Sequence, residues 1–153
     1  MNGKNVLICV LTYNNCADTL ACLASLMRLD YEGYDILVID NGSTDASTLE
    51  IARRYPGIEI VRMETNMGAA AGRNVGIERA LQGEYAYVFF VDNDAVVEPS
   101  TLTELTAEAE RDDRLAAVGA MTYYSGRDKC IWHNGGRVCW RTGRFSDVEQ
   151  GVI

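Results

Sequence analysis

Apolar positions along the chain gather in short runs separated by polar turns, and between the runs the spacing turns helical. Tyr87–Val91 is an unbroken apolar run of the kind that suits a strand buried on both faces, and Asn5–Thr12 (NVLICVLT) reads as a first buried strand. Asp35–Asp40 (DILVID) and Ile58–Met63 supply two more strands between them. Leu20, Leu23 and Leu26–Met27 recur at near-helical spacing, with Asp18 as the expected N-cap of a helix reaching about Leu29. Ser47 and Glu50 have capping-box spacing for a helix to about Tyr55, stopped by Pro56-Gly57. Thr65–Gly72 reads as a small-residue loop leading into a helix near Arg73–Leu81, closed by Gly83. Ser100–Arg111 forms a helix with Leu102, Leu105 and Ala109 on one side, and Leu115–Met121 a fifth strand.

Strand and helix alternate with short links, which predicts an α/β domain built on a mainly parallel sheet. The character changes from Thr122. There Gly126, Gly135, Gly136, Gly143 and Gly151 interrupt aromatic and charged residues, so hairpins and loops are expected. Residues 1–121 are thus read as the α/β region and 122–153 as a glycine- and aromatic-rich tail of the same domain.

Composition narrows the function. A formal charge of −8 argues against nucleic-acid binding, which depends on Lys and Arg neutralising phosphates, and against a polybasic membrane patch. No apolar run is long enough to span a bilayer, and Val6–Leu11 is too short for the core of a secretory leader. Five cysteines, an odd number without a C-x-x-C, favour a reduced, cytoplasmic protein. The single histidine, His133, excludes His-rich zinc chemistry.

The candidate chemistry lies where the strands end. Thr12-Tyr13-Asn14 follows the first strand, Asp40 ends the second, and Asp92-Asn93-Asp94 ends the fourth. In a parallel sheet these ends share one edge, the edge where open α/β sheets bind ligands. Asp92 and Asp94 offer hard oxygen ligands of the type Mg²⁺ and Mn²⁺ prefer, and such an ion would bridge an acidic protein to a diphosphate. The other reading of the pair is an ordinary turn after a strand. Asp40 can accept hydrogen bonds from a base N–H or a ribose hydroxyl, or else cap the NGSTD turn. Asn66-x-Gly68 and Gly72-Arg73-Asn74-x-Gly76 combine close backbone approach with a guanidinium fork. Tight helix packing is the alternative explanation for Gly76 and Ala69–Ala71.

Taken together, VLICVLTYNN, LVIDNGSTD, NMGAAAGRNVG and FFVDNDAVV, in that order over roughly residues 5–97, resemble the nucleotide-binding half of family 2 glycosyltransferases. IWHNGGRV with the later RTGRF is similar, over a short stretch, to the bacterial rhamnosyltransferase-like branch. The resemblance implies a GT-A fold, a Rossmann-like open sheet flanked by helices. It implies sugar transfer, with inversion, from a UDP- or dTDP-linked donor to a saccharide or lipid-linked acceptor in bacterial polysaccharide or glycoconjugate synthesis. By the same resemblance Thr12 and Asp40 contact the base and ribose, and Arg73 lies beside the base. Asp92 then faces the ribose and the metal's water shell, and Asp94 ligates Mg²⁺ or Mn²⁺. Tyr13, Asn14, Asn66, Gly68 and Asn93 complete the expected donor site. The location it implies is cytoplasmic, with attachment at the inner membrane face as a variant.

The family's catalytic base and acceptor site lie beyond the point where this chain stops, so the chain alone is expected to be inactive. Asp147, Glu149 and His133 fall in no recognisable base motif, and no base is assigned. The aromatics of Tyr123–Trp140 are expected at a homodimer contact or at the surface that meets an acceptor half. Two alternatives come from other classes. A haloacid-type phosphatase would use Asp92 as nucleophile and Asp94 as acid/base, but its D-x-D belongs on the first strand, not the fourth. A non-catalytic interaction module predicts no nucleotide affinity at all.

Overall fold

A computed structural model describes residues 5–147 and 151–152. The chain divides into two compact units, one ending at Leu102 and the other beginning at Thr103.

The first unit alternates strand and helix: β1 (Val6–Thr12), α1 (Cys16–Leu26), β2 (Tyr34–Asp40), α2 (Ser47–Arg54), β3 (Glu59–Arg62), α3 (Gly68–Gln82) and β4 (Tyr87–Asp92). All strand pairs are parallel, in the order β3-β2-β1-β4. Side chains of a strand alternate between the two faces, and the core divides accordingly. Val6, Ile8 and Val10 of β1 join Ile36, Val38 and Val91 beneath Cys22, Leu23 and Leu26 of α1 and Ile51 of α2. Leu7 and Cys9 join Leu37, Ile39 and Ala80 on the face covered by α3. Each fully buried aliphatic side chain contributes roughly 1.5–3 kcal/mol relative to exposure, so the paired centre β1–β2 anchors the unit. Sheet and register together carry the ends of β1, β2 and β4 to one edge: Thr12 pairs with Asp40, and Leu11 with Asp92.

Several local expectations need correction. β4 is an edge strand of this sheet, and Phe90 is exposed, so the doubly buried strands are β1 and β2. Asn15, not Asp18, occupies the N-cap position of α1; Asp18 lies in the first turn, where its charge suits the helix dipole. The Ser47–Glu50 capping box does not form. Ser47 is buried with its Oγ unpartnered, and Asp45 Oδ1 accepts the Ser47 N–H instead at 2.9 Å. α3 begins at Gly68, so most of the supposed small-residue loop is its first turns. Leu115–Met121 is not a strand; the extended run starts at Thr122.

α3 seats on the sheet through two glycines four residues apart. A Cβ on Gly72 would come within 2.3 Å of Leu11 Cδ1, and one on Gly76 within 2.7 Å of Cys9 Sγ. Close packing thus accounts for Gly72 and Gly76. It does not account for Ala69 and Ala70, which are exposed.

In the second unit α4 (Thr101–Ala109), whose first two residues belong to the first, is followed by short antiparallel strands. These are β5 (Thr122–Tyr124), β6 (Arg127–His133), β7 (Gly136–Cys139), β8 (Arg144–Asp147) and β9 (Gly151–Val152). They form a three-stranded sheet, β5-β6-β9, and a separate β7-β8 hairpin, the hairpins expected after Thr122. No helix among the described residues is long and apolar enough to cross a membrane.

Candidate functional site

At the C-terminal edge of the parallel sheet lies a cleft of about 540 Å³, within the range typical of small-molecule sites. Leu11, Thr12, Tyr13 and Asn15 line it from the end of β1 and the start of α1, and Asn41 from the end of β2. Asn66, Gly68, Ala69 and Arg73 contribute from the entry and first turns of α3, and Asp92, Asn93 and Asp94 from the end of β4. Eight of the ten residues singled out from the sequence therefore share one cleft: Thr12, Tyr13, Asn66, Gly68, Arg73, Asp92, Asn93 and Asp94. Asn14 and Asp40 do not line it.

Asp40 explains how the wall is built. Its carboxylate is fully buried beneath the turn after β2, where Oδ1 accepts the Ser43 N–H at 2.8 Å and Oδ2 accepts the Thr48 hydroxyl. The Arg62 guanidinium stands 3.6 Å from Oδ2 and donates to the Ser43 carbonyl. Burial pushes this carboxyl up, but the hydrogen bonds from Ser43 and Thr48 and the charge of Arg62 outweigh it and hold it below the usual Asp value. Asp40 thus braces the turn, as the capping alternative expects, and does not line the cleft.

Asn14 works from the neighbouring turn. It adopts a left-handed backbone (φ 49°), which asparagine tolerates better than most residues. Its Oδ1 accepts the Thr44 and Asp45 N–H groups at 2.7 and 3.2 Å, and its own N–H donates to Ser43 Oγ. The two turns are thereby stitched together. Gly42 allows a close approach behind them: at φ 79° a Cβ would fall 2.6 Å from the Thr65 carbonyl carbon.

Asn41 ties the second turn to the start of α3. Its amide donates to Asn66 Oδ1 at 3.0 Å and to the Gly68 carbonyl at 3.3 Å, while its Oδ1 accepts the Met67 N–H at 3.0 Å. α3 thus presents its positive end beside Gly68 and Ala69, with no acidic residue in the first turn. Arg73, one turn on, bonds Asp92 Oδ1 at 2.9 Å. The same cleft therefore holds two carboxylates, one guanidinium and a helix N-terminus.

Among the described residues no three His, Cys, Asp or Glu side chains converge as a metal cage. Asp92 and Asp94 fit the other mode of holding Mg²⁺, in which one or two carboxylates share the ion with substrate phosphates. No lysine is among the residues lining the cleft, so the phosphatase alternative finds no support in it.

Sequence reading missed Asn15, Asn41 and Thr19. Asn41 was legible only as part of a turn. Thr19 is buried on α1, in contact with Asn93 and Thr12. The signal that marks it is a row of small polar residues, Thr19, Cys22 and Ser25, on the helix face where leucines would be expected. Of the tail carboxylates, Asp147 ends β8, while Glu149 lies outside the described residues. His133 ends β6, and its carbonyl accepts the Thr122 hydroxyl. A second hollow, about 660 Å³, lies on the β7-β8 hairpin between Arg137, Val138, Cys139, Arg144, Phe145 and Ser146. Without a carboxylate among these residues, and built on one hairpin, it lacks the convergent groups of the first.

Comparison with known proteins agrees with this geometry. The family model described as "Glycosyl transferase family 2" matches residues 7–150. The uncharacterized glycosyltransferase YibD of Escherichia coli (strain K12) is 36% identical over 118 residues, covering 74% of this chain and 33% of that protein. The structure of S. aureus TarS 1-349 in complex with UDP-GlcNAc superposes with a TM-score of 0.69 at 29% identity, covering 80% of this chain and 36% of that one. Mannosyltransferase PcManGT from Pyrobaculum calidifontis, in complex with GDP-Man and Mn2+, shares the fold at a TM-score of 0.63 and 21% identity, covering 82% of this chain and 36% of that one. The chain thus spans about a third of the length of these proteins. The parallel sheet flanked by helices is the GT-A architecture of these neighbours. The chain belongs to glycosyl transferase family 2.

Proposed function

We propose that this chain forms the donor-binding part of an inverting glycosyltransferase that holds a nucleotide-diphosphate sugar through a divalent cation. The observation that carries the reading is the meeting of Arg73, Asp92 and Asp94, distant in sequence, in one cleft at the C-terminal edge of a parallel sheet. Asp94 supplies a carboxylate to Mg²⁺ or Mn²⁺ beside the diphosphate, and Asp92 serves the ribose and the ion's water shell. When bound, the ion neutralises the diphosphate that leaves as the sugar departs. Thr12, Tyr13 and Arg73 face the nucleoside, and Asn66, Gly68 and the N-terminus of α3 present polar and backbone groups to the ligand. Asp40 and Asn14 act one step back, holding the turns that shape this wall. The UDP-GlcNAc in the TarS complex supports a UDP-linked sugar as the first donor to try. No base for the acceptor hydroxyl and no acceptor site is assigned among the described residues.

The test is the thermal shift and calorimetric titration of the chain with UDP, UDP-GlcNAc and dTDP-linked sugars, with Mn²⁺ and with chelator. Binding that strengthens with Mn²⁺ and loses this gain in Asp94→Ala supports the reading. Equal affinity with and without the ion, in both proteins, refutes the metal role. No response to any nucleotide diphosphate favours the interaction module.

A further inference from the structure

The D-N-D turn is held from below by one face of α1. Thr19, Cys22 and Ser25 recur at every third position of that helix, all buried, and each reaches the end of β4 or the segment that follows it. The Cys22 thiol points to the Asp92 carbonyl at 3.7 Å, and Ser25 Oγ accepts the Val97 N–H at 3.1 Å. Between them, Asn93 Nδ2 donates to Thr19 Oγ1 at 3.0 Å and reaches Thr12 Oγ1 at 3.5 Å.

The direction of these bonds is fixed by counting hydrogens. A threonine hydroxyl has one proton and two lone pairs. The Thr19 hydroxyl donates to the Asn15 carbonyl at 2.6 Å, and a carbonyl can only accept, so the single proton is committed there. In the 2.8 Å contact between Thr12 Oγ1 and Thr19 Oγ1, Thr12 must then be the donor. Thr19 is left with lone pairs only, and the group above it has to be a donor. Asn93 meets that demand and an ionised aspartate would not.

We propose that Thr19 is a positioning residue for the Asp92-Asn93-Asp94 turn, acting through the Asn93 carboxamide, and that position 93 requires a hydrogen-bond donor. The proposal rests on the donor-binding reading above. Asn93 lies between the two carboxylates in sequence, so its anchorage sets the backbone from which both project. Loss of the bond frees the turn to rotate and weakens the joint hold of protein and diphosphate on the cation. Tyr13, which takes part in none of these bonds, keeps its contact with the nucleoside.

The test separates metal-dependent from metal-independent binding. UDP affinity of the chain is measured in chelator and again in saturating Mn²⁺, for wild type, Thr19→Val, Thr19→Ser and Asn93→Asp. The expected result is that Thr19→Val keeps most of its affinity in chelator but loses about tenfold of the gain from Mn²⁺, the scale of one hydrogen bond, and that Asn93→Asp loses the same gain whatever its affinity in chelator. Thr19→Ser, which restores the hydroxyl, keeps most of the gain. If both Thr19→Val and Asn93→Asp bind Mn²⁺ and UDP as wild type does, the positioning role is overturned while donor binding stands. If wild type itself shows no gain from Mn²⁺, the metal role fails and this proposal with it. Should buried Thr19→Val fail to fold, Asn93→Asp, at a half-buried position, decides the matter alone.

Discussion

The Arg73 guanidinium donates a 2.9 Å hydrogen bond to Asp92 Oδ1, joining α3 to the end of β4 inside the cleft. Both side chains are substantially exposed, at 47% and 69%, so water screens the pair. An ion pair of this kind contributes about 0.2–1 kcal/mol, and a ligand that needs either partner separates them at small cost. Arg73→Ala should therefore leave the melting temperature almost unchanged. Its effect should appear in UDP affinity, which is expected to fall about tenfold, or about 1.4 kcal/mol. Affinity for Mn²⁺ alone should not fall, because Asp92 loses its competing partner. Calorimetry of the variant against UDP and Mn²⁺ separately checks both halves; a large loss of stability with unaltered UDP affinity would make Arg73 a structural residue.

Gly72 and Gly76 invite the same substitution with different outcomes. Alanine in place of glycine favours a helix by about 1 kcal/mol. At Gly72 the new methyl meets the tip of Leu11, a half-buried side chain that lines the cleft and can turn into it. At Gly76 it meets Cys9, which is wedged in the sheet, with Ile39 close behind. Overpacking of a tight core costs roughly 1–3 kcal/mol. Gly72→Ala should thus be near neutral in thermal unfolding yet weaken nucleotide binding, by pushing Leu11 into the space a ligand needs. Gly76→Ala should lower stability by up to about 2 kcal/mol net, as read from denaturant midpoints, with little effect on binding.

These glycines also show where sequence reasoning stops. The run VLICVLT could only be a buried strand, and strand ends rich in Asp and Asn marked the edge of the sheet where the cleft opens, because parallel direction follows from alternation alone. The role of Asp40 was not legible in the same way. Its residue type fits a ligand contact and a buried turn brace equally well, and the choice depends on Ser43, Thr48 and Arg62 closing over it. Thr19 was undervalued for a related reason. Its row with Cys22 and Ser25 marks a polar stripe on α1 without saying what meets it, and its meaning comes from Asn93, seventy-four residues away. The start of α3 was misplaced because Gly and Ala runs suit loops and tightly packed helices alike. The burial of β4 was overestimated because an apolar run does not tell how many strands flank it.

The five cysteines are all free thiols, and the structure ranks their reactivity. Cys9 is buried, which pushes its thiol up to about 11. Cys22 is pushed up to about 12, first by burial and then by the nearby charges of Asp94 and Asp92. At pH 8 a thiol of the first kind is ionised in only about one molecule in a thousand, and the thiolate is the reactive form. Cys139 is exposed, and hydrogen bonds from the Thr142 hydroxyl and from the backbone of Thr142 and Arg141 draw its thiol below the ordinary value. Iodoacetamide at pH 8 should therefore modify Cys139 first, with Cys9 and Cys22 untouched until the chain is unfolded. Peptide mass mapping against time gives the order. Early labelling of Cys22 would show that the packing between α1 and the D-N-D turn opens readily.

Asp40 makes an acid-stability prediction whose sign follows from its surroundings. Its carboxyl is held below the usual value of about 3.9, so the unfolded chain takes up a proton more readily than the folded one. Its stabilising contribution is therefore complete above the ordinary Asp range and is lost as pH falls through the lower, folded value. Asp40→Asn keeps one acceptor oxygen for the Ser43 N–H but turns an amide donor toward the Arg62 guanidinium, which can only donate, and removes the buried charge that faces it. At pH 7 the variant should be less stable by about 1–3 kcal/mol. Below the ordinary Asp value, where wild type progressively loses the same contribution, the gap should narrow. Urea unfolding of both proteins from pH 7 to pH 2.5 measures it. A gap that stays constant across that range would assign the loss to packing, and the charge on Asp40 would then have no part in bracing the turn above the cleft.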